Sequence, residues 1–346
     1  MKQFKSFIIK EARHILRDKR TMLILFGMPV VMMLLFGFAI STDVRNVRTA
    51  VVLSHVNHQT HKMVERLGAN EYFDILYKVD NSAAAEQLIR HQKADVAIVF
   101  DRNNAIQVIT DGADPNMAQM YANYATMILQ SSDTSVMTQK LLFNPQMRSC
   151  YNFVPGIMGM LLMLICGFLP ALNIVGEKES GTIEAINVTP VSKVNFILAK
   201  LIPYWLIALV VMSMCLLLAW GVYGITSAGS LALVYLLAML LAFIFSGLGL
   251  VISNYNDTMQ QAVFVMWFAV VCLMLLSGLF TPVRSMPHWA YLTTYVNPMH
   301  YFIDAIRTVF VRGGNFSCIT HQVFALSIIA FCMNLWAVIS YRKNTA

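Results

Sequence analysis

Six long apolar stretches constrain this chain more than any other feature of its sequence. A helix that crosses a bilayer needs about 20 predominantly apolar residues. Six segments of that length contain no Asp, Glu, Lys or Arg: 22–41, 153–175, 201–222, 231–253, 258–280 and 322–341. Charged residues make up only 12% of the chain, about half the usual share, which excludes an ordinary soluble enzyme and a disordered chain. The predicted fold class is a membrane α-helical protein with six transmembrane helices.

The distribution of basic residues predicts how these helices are oriented. Cytoplasmic loops of membrane proteins carry an excess of Lys and Arg. Residues 1–21 carry seven basic residues, the segment 176–200 three and the C-terminus two, whereas the short loops opposite carry only Arg284, Arg307 and Arg312. Both termini are therefore predicted to be cytoplasmic. The formal net charge of +7 then indicates topology, and no nucleic-acid partner is expected.

Residues 42–150 form the largest segment between two predicted spans, and the topology places this segment outside the cytoplasm. Its apolar patterns predict an inserted extracytoplasmic α/β domain. Strands are predicted at 48–54, 72–79, 94–100 and 105–110, and helices at 58–67, at 82–92 with Ser82 as N-cap, and from Asp114 onward. A hairpin loop is predicted at 101–104. The domain has no His-x-x-x-His pair, and no metal site is predicted.

Two further segments are predicted to lie at the membrane surface. Residues 1–21 alternate apolar and basic positions at helical spacing, which predicts a cytoplasmic interfacial helix in contact with membrane lipids. Residues 281–321 are rich in Pro and aromatic residues, which predicts a re-entrant outer segment of short helices. Asp304 and Arg307 are three residues apart there, and a local ion pair between them is predicted.

The chain lacks the residues that an autonomous pump would need. Carriers driven by an ion gradient place ionisable groups within the membrane, and the six stretches contain none. The glycines of 176–182 have the spacing of a phosphate-binding loop, but Thr182 occupies the position of the essential lysine. This chain is therefore not expected to hydrolyse ATP or to bind a cofactor. Cys150 and Cys318 are both expected on the outer face, and a disulfide between them stays open.

The cytoplasmic loop 176–200 carries the most patterned polar sequence in the chain. Three acidic residues surround a Gly-Thr pair, and a Thr-Pro pair ends the element. The residues of this motif are Glu177, Glu179, Gly181, Thr182, Glu184, Thr189 and Pro190. The pattern favours a short amphipathic helix that docks in a groove of a partner protein, with an ordinary polar loop as the alternative.

This loop resembles that of the permease subunits of ABC-2 type exporters, which carry E-x-E-x-G-T-x-E followed by T-P. A second match to the family runs from the end of the fifth span into the segment before the sixth. Its residues are Gly278, Pro282, Pro287, Asn297, Pro298, Asp304 and Arg307. The resemblance extends over nearly the whole chain. It is strongest to the bacterial branch with a large external domain between spans one and two, which is related to multidrug and lipid exporters.

The resemblance implies a half-transporter in the bacterial inner membrane. Two permeases, identical or different, would pair, and each would dock on a separate ATP-binding cassette ATPase that binds ATP and Mg²⁺. Residues 177–190 would be the ATPase-coupling segment, 1–21 the connecting helix and 281–312 the outer gate. An amphipathic or apolar cargo, drug-like or lipid-like, would move outward by alternating access, and a periplasmic adaptor would be a further candidate partner.

The resemblance identifies no cargo-binding residues. Met and aromatic side chains of spans two and five would suit an apolar cargo, and helix packing explains them equally well. These residues are Met158, Met160, Met163, Met266, Trp267 and Phe268. Two other functions remain open: a membrane receptor or assembly factor that binds a partner through residues 42–150, and a passive channel or secondary carrier. The first does not explain the patterned cytoplasmic loop, and the second is disfavoured by the charge-free spans.

Overall fold

The computed structural model describes residues 2–39, 46–53, 58–100, 106–110, 115–129, 150–182, 193–281, 283 and 286–341. In chain order the elements are α1 (Lys2–Arg17), α2 (Lys19–Ala39), β1 (Val47–Leu53), α3 (His58–Gly68), β2 (Phe73–Val79), α4 (Ser82–Arg90), β3 (Val96–Phe100), β4 (Ile106–Thr110), α5 (Pro115–Leu129), α6 (Cys150–Glu179), α7 (Lys193–Tyr223), α8 (Leu231–Tyr255), α9 (Met259–Leu275), α10 (His288–Thr294), α11 (Pro298–Phe310) and α12 (Thr320–Ser340). A 3-10 helix, Phe316–Cys318, precedes α12. The chain divides into two compact units, one of Met1–Ser41 with Arg148–Ala346 and one of Thr42–Met147.

Four helices of the first unit are long and apolar enough to cross a membrane: Cys150–Glu179, Val194–Tyr223, Leu231–Tyr255 and Thr320–Ser340. A fifth candidate is a bent pair, Ser6–Arg17 with Thr21–Phe36, whose two parts meet at 67°. The mostly helical membrane architecture is thus confirmed, with four to five apolar spans, and the six-span count stays a prediction.

The predicted span 258–280 corresponds to the shorter helix α9. This helix has 17 residues and is about 26 Å long at a rise of ~1.5 Å per residue, less than the ~30 Å of a hydrocarbon core. After Leu275 the chain turns through Gly278, whose φ is 87°. A Cβ atom at Gly278 would lie 2.7 Å from Cγ2 of Val283. Both the positive φ and the close approach therefore favour glycine at this turn.

Helix α6 lies at the centre of the helical unit. In its most apolar stretch of 18 residues 67% is buried, compared with 17% for the corresponding stretch of α12. Helix α6 crosses α8 at short range, since a Cβ on Gly249 would lie 2.3 Å from the carbonyl oxygen of Gly167. Small residues at such crossings let two backbones approach, which is a common source of helix association in membranes. Polar side chains also link the helices, since Trp205 Nε1 donates to Ser246 Oγ at 2.9 Å.

The second unit is a four-stranded sheet with the order β2-β1-β3-β4. Strand β1 pairs in parallel with β2 and β3, while β4 is antiparallel to β3. Because successive side chains of a strand point to opposite faces, Val51 packs in one core with α3 and α5, whereas Ala50 and Val52 pack in another with Ala85 of α4. Helices therefore cover both faces of the sheet.

The strands and helices predicted for this unit are confirmed to within two residues at the described ends. The predicted cap of α4 is wrong by one position, because Asn81 is the N-cap and its side chain accepts a hydrogen bond from Ala83 N at 3.1 Å. The predicted hairpin loop 101–104 lies outside the described residues. The side of the membrane on which this unit lies stays a prediction.

Candidate functional site

The first half of the acidic motif forms the end of the spanning helix α6. Glu177, Lys178 and Glu179, called here the E-K-E turn, occupy its last turn, and Gly181 follows with a φ of 70°. A left-handed glycine at this position ends a helix without steric cost. Thr182 Oγ1 donates to the Glu177 carbonyl oxygen at 3.2 Å, which satisfies one of the carbonyls left free at the helix end.

The rest of the motif, Glu184, Thr189 and Pro190, lies outside the described residues, and so does the predicted docking helix. For the described part, the structure places the acidic side chains against other helices of the same unit. The coupling role of these residues therefore stays a prediction, and their local partners are a finding.

Glu177 forms an ion pair with Lys200, which lies in the first turns of α7. Lys200 Nζ is 2.6 Å from Glu177 Oε2, and the side chains of Lys200 and Glu177 are 2% and 20% exposed. Lys200 Nζ also donates to Asn173 Oδ1 at 2.8 Å and lies 5.5 Å from the ring centroid of Phe196. A nearly fully buried ammonium group thus has three partners.

Lys178 and Glu179 each contact the end of a further helix. Lys178 Nζ donates to the carbonyl oxygens of Ser253 at 2.5 Å and Asn254 at 3.2 Å, at the C-terminus of α8. Glu179 Oε1 accepts a hydrogen bond of 2.7 Å from Met259 N at the N-terminus of α9. A cation at a helix C-terminus and an anion at an N-terminus both interact favourably with the helix dipole. The E-K-E turn therefore links α6 to α7, α8 and α9.

Helix α1 packs beside this turn through one face. Glu11 and Ile15 are each 3% exposed, and Phe7 contacts Phe196 of α7 with ring centroids 6.0 Å apart. Ile9 and Leu16 are exposed. The apolar residues of the predicted interfacial helix therefore divide between protein contact and an outward face.

A cavity of about 560 Å³ lies between α1 and the end of α6. Its lining residues are Lys10, Glu11, Leu172, Asn173, Gly176, Glu177, Ser180, Thr182 and Met259. Lys10 Nζ is 3.4 Å from Glu11 Oε1, with Lys10 mostly exposed and Glu11 buried. The cavity is thus lined by basic and acidic side chains, one of which belongs to the E-K-E turn.

The predicted outer-gate residues are distributed over α10, α11 and the turn after α9. Asn297 is buried and caps α11, where its Oδ1 accepts from Met299 N at 2.9 Å and its Nδ2 donates to the Leu273 carbonyl oxygen of α9 at 2.8 Å. Pro298 is the first residue of α11, and Pro287 is the N-cap of α10. Pro282 lies outside the described residues. Asn297 therefore fixes the start of α11 against α9.

The predicted ion pair between Asp304 and Arg307 is wrong, since the structure contains no contact of ion-pair length between them. Asp304 Oδ2 accepts from Gln322 Nε2 of α12 at 2.7 Å, and Arg307 Nη1 donates to the Gly278 carbonyl oxygen at 3.3 Å. Each side chain thus has a partner in another element instead of its neighbour in α11. Burial lowers the pKa of the Arg307 guanidinium, and the nearby Asp304 charge opposes this shift.

The remaining sequence predictions concern the candidate cargo-binding residues, the two outer cysteines and metal binding. Met158, Met163 and Met266 are buried in the helical core, whereas Trp267 and Phe268 are exposed on α9, so packing accounts for the first three. Cys150 and Cys318 are free thiols. Among the described residues there is no group of three metal-ligating side chains.

Sequence reasoning missed Lys200 and Gln322. Lys200 was counted only as a topology signal, but it follows four apolar or small residues and directly precedes a long apolar run. A charge in that position of a continuous helix was the available signal of burial. Gln322 lies within an apolar run, where a lone amide gives little indication of its partner.

Comparison with known proteins identifies the family. Residues 19–339 match the family described as ABC-2 family transporter protein. The chain belongs to the ABC-2 transporter family. It is therefore a membrane permease of the ABC-2 type, as the motif of loop 176–200 indicated.

Three relatives show how far the similarity extends. The permease is 27% identical over 341 residues to the probable multidrug ABC transporter permease YbhS of Escherichia coli K12, which covers 90% of this chain and 89% of that protein. It is 24% identical over 360 residues to the probable multidrug ABC transporter permease YbhR of the same organism, with 98% of both chains covered. It is 24% identical over 248 residues to the E. coli K12 inner membrane transport permease YhhJ, covering 71% of this chain and 64% of that protein.

Proposed function

We propose that this permease is the membrane subunit of an ATP-driven exporter, with ATP and Mg²⁺ bound and hydrolysed on a separate ATP-binding cassette subunit. The observation that carries the proposal is the E-K-E turn in an ABC-2 family chain, because one turn contacts three helices directly beside the predicted docking segment. A force applied to residues 183–192 would reach those helices through the end of α6.

The internal contacts of the E-K-E turn suggest how coupling would work. Lys200 is nearly fully buried, so separating it from Glu177 would expose a charge to an apolar environment at high cost. Helices α6 and α7 would therefore move together when the ATPase pulls on the loop. Glu179 would transmit the same movement to α9 through Met259 N, and α9 continues into the turn before the outer segment.

The proposal extends to the class of cargo and to the other subunits of the exporter. Relatives named multidrug permeases and the apolar exposed face of α9 with Trp267 and Phe268 support an amphipathic or apolar cargo, drug-like or lipid-like, moved outward by alternating access. The permease would pair with a second permease, identical or different, in the bacterial inner membrane. Both termini would be cytoplasmic, the unit Thr42–Met147 would lie outside, and a periplasmic adaptor would be its candidate partner.

The test separates docking from internal transmission. Full-length permease would be purified with any ATPase that accompanies it, and ATP hydrolysis and dye efflux from vesicles would be measured. We expect the permease alone to hydrolyse no ATP. Glu184→Lys should weaken association with the ATPase, whereas Glu179→Gln should preserve association and reduce efflux. Glu86→Lys, an exposed change in the other unit, is the matched control.

Two results would contradict the proposal. If no ATPase accompanies the permease under conditions that preserve membrane complexes, the receptor or assembly-factor alternative becomes the better explanation. If Glu184→Lys and Glu179→Gln leave both association and efflux unchanged while Glu86→Lys does the same, the motif has no role in coupling.

A further inference from the structure

The cluster formed by Asp304, Arg307 and Gln322, called here the Arg307 cluster, has buried polar atoms that no described residue satisfies. Arg307 Nε, Arg307 Nη2 and Gln322 Oε1 are buried and have no hydrogen-bond partner in the described part of the chain. The remaining groups are engaged, since Arg307 Nη1 donates to Gly278 and Gln322 Nε2 donates to Asp304. Buried polar groups almost always have a partner, so two donors and one acceptor require an explanation.

The free nitrogens define what would satisfy them. Nε and Nη2 lie on the same edge of the planar guanidinium, and their N–H bonds form a fork that matches two oxygens of one carboxylate or phosphate group. The contact of Nη1 with the Gly278 carbonyl oxygen fixes the plane of that fork. A single water oxygen would serve both N–H groups less well than two oxygens spaced for the fork.

No described residue supplies an acceptor within hydrogen-bond distance of the two free nitrogens. Asp304, the nearest acid in sequence, already accepts from Gln322. Arg312, which adds to the positive charge felt by Arg307, is exposed. The guanidinium itself is cationic, so a ligand that supplies two oxygens and a negative charge matches the fork best.

The position of the cluster indicates where such a ligand is abundant. Gln322 is the third residue of the apolar helix Thr320–Ser340, so it lies at the end of a candidate span. Trp289 and Tyr295 of the same outer segment are more than half exposed, and such side chains concentrate at the membrane–water boundary. Arg307 and Gln322 are only partly buried as whole residues, which places the cluster at the edge of the packed segment. The ends of membrane-spanning helices lie at the boundary where phospholipid phosphates are found.

We propose that the Arg307 fork binds a phosphate oxyanion, with a phospholipid headgroup as its source. Gln322 Oε1 then accepts a hydrogen bond from the ammonium or hydroxyl of the headgroup. Phosphatidylethanolamine and phosphatidylglycerol carry such donors, whereas the quaternary ammonium of phosphatidylcholine has no N–H. The site therefore selects phosphodiesters whose headgroup has a hydrogen-bond donor. This inference does not depend on the coupling role of the E-K-E turn.

The test measures lipid retention on the full-length permease, together with any subunit that accompanies it. Native mass spectrometry would compare phosphatidylethanolamine, phosphatidylglycerol and phosphatidylcholine, with inorganic phosphate as a separate arm. Arg307→Lys keeps the charge and loses the fork, and Arg312→Lys is the matched exposed control. We expect Arg307→Lys to lower affinity for the two donor-bearing lipids about tenfold, the factor for ~1.4 kcal/mol, and Arg312→Lys to change it less than twofold.

A second variant keeps the proposal testable if Arg307→Lys fails to fold. Gln322→Leu leaves the fork intact, and we expect it to abolish the preference over phosphatidylcholine while phosphate binding persists. Competition by inorganic phosphate without lipid retention supports the oxyanion site and overturns the lipid as its source. Equal retention of all three lipids by wild type, Arg307→Lys and Gln322→Leu, without phosphate binding, overturns the proposal and assigns the free atoms to a structural water.

Discussion

Removing either charge of the Glu177–Lys200 ion pair should destabilise the permease, and the two removals should have unequal costs. Glu177→Met leaves the Lys200 ammonium 2% exposed, with only Asn173 and the Phe196 ring as partners. Breaking a buried ion pair in this way costs about 3–5 kcal/mol. Lys200→Met leaves a carboxylate whose side chain is 20% exposed, so its expected cost is lower, about 2–3 kcal/mol.

The double replacement should cost less than either single one. Met is close in size to both Glu and Lys, and replacing a buried ion pair with apolar residues of similar volume is often neutral or stabilising. We therefore expect Glu177→Met/Lys200→Met to lie within about 1 kcal/mol of wild type, while its coupling of the loop to α7 is lost. Stability and efflux would then separate in the same protein.

The assay is thermal unfolding of the detergent-solubilised permease, followed by size-exclusion chromatography with fluorescence detection. All variants are heated at one rate because unfolding of such proteins is often irreversible. Lys19→Met, which removes an exposed ammonium group, is the control and should leave the transition unchanged. If the losses of the two single variants add in the double variant, the charges do not interact and the reasoning from the 2.6 Å distance is refuted.

Three further predictions concern packing, capping and the sheet. Gly249→Ala places a Cβ 2.3 Å from a backbone oxygen of α6 and should cost about 1–3 kcal/mol of stability. Gly221→Ala, with nothing within 4 Å of its Cβ, is the control and should not lower the unfolding temperature. Equal effects of the two substitutions would contradict the close crossing of α6 and α8. Glu179→Gln should weaken the start of α9 by about 0.3–1 kcal/mol, measured as faster amide exchange in its first turn and not in its last. Asp95→Asn should increase amide exchange of β1 and β3, because Asp95 accepts from Arg48 N at 3.1 Å and Nε at 3.0 Å and raises the pKa of the Arg48 guanidinium. Unchanged exchange would show that this contact does not stabilise the pairing of the two central strands.

Elements set by local pattern could be predicted from the sequence. The charge-free stretches became helices, since twenty apolar residues in a row have few other ways to satisfy their backbone in lipid. The strands of the second unit followed from short β-branched and apolar runs and, at 72–79, from alternation, whereas their pairing β2-β1-β3-β4 appeared only in the fold. The cap at Asn81 in place of Ser82 is a local error of one residue, typical of helix boundaries.

The partners of the charged side chains could not be predicted in the same way. Glu179 contacts a backbone amide 80 residues later in the chain, and Asp304 contacts an amide 18 residues later. Helical spacing suggested instead that Asp304 would pair with Arg307. Residues three or four apart in a helix are close enough to pair. A polar side chain can instead bind a partner that the packing of other helices brings within hydrogen-bond distance.

The sequence by itself determined that this chain is a membrane protein with charge-free spans, a separate α/β unit and the loop motif of ABC-2 permeases. Those properties follow from composition, periodicity and short motifs, each of which acts over a few turns of chain. Only the tertiary structure decided that Glu177, Lys178 and Glu179 bind to α7, α8 and α9 and that the Arg307 fork has no partner in the described chain. The physical reason is that burial of a charge depends on which helices meet around it, and that depends on the packing of the whole helical unit.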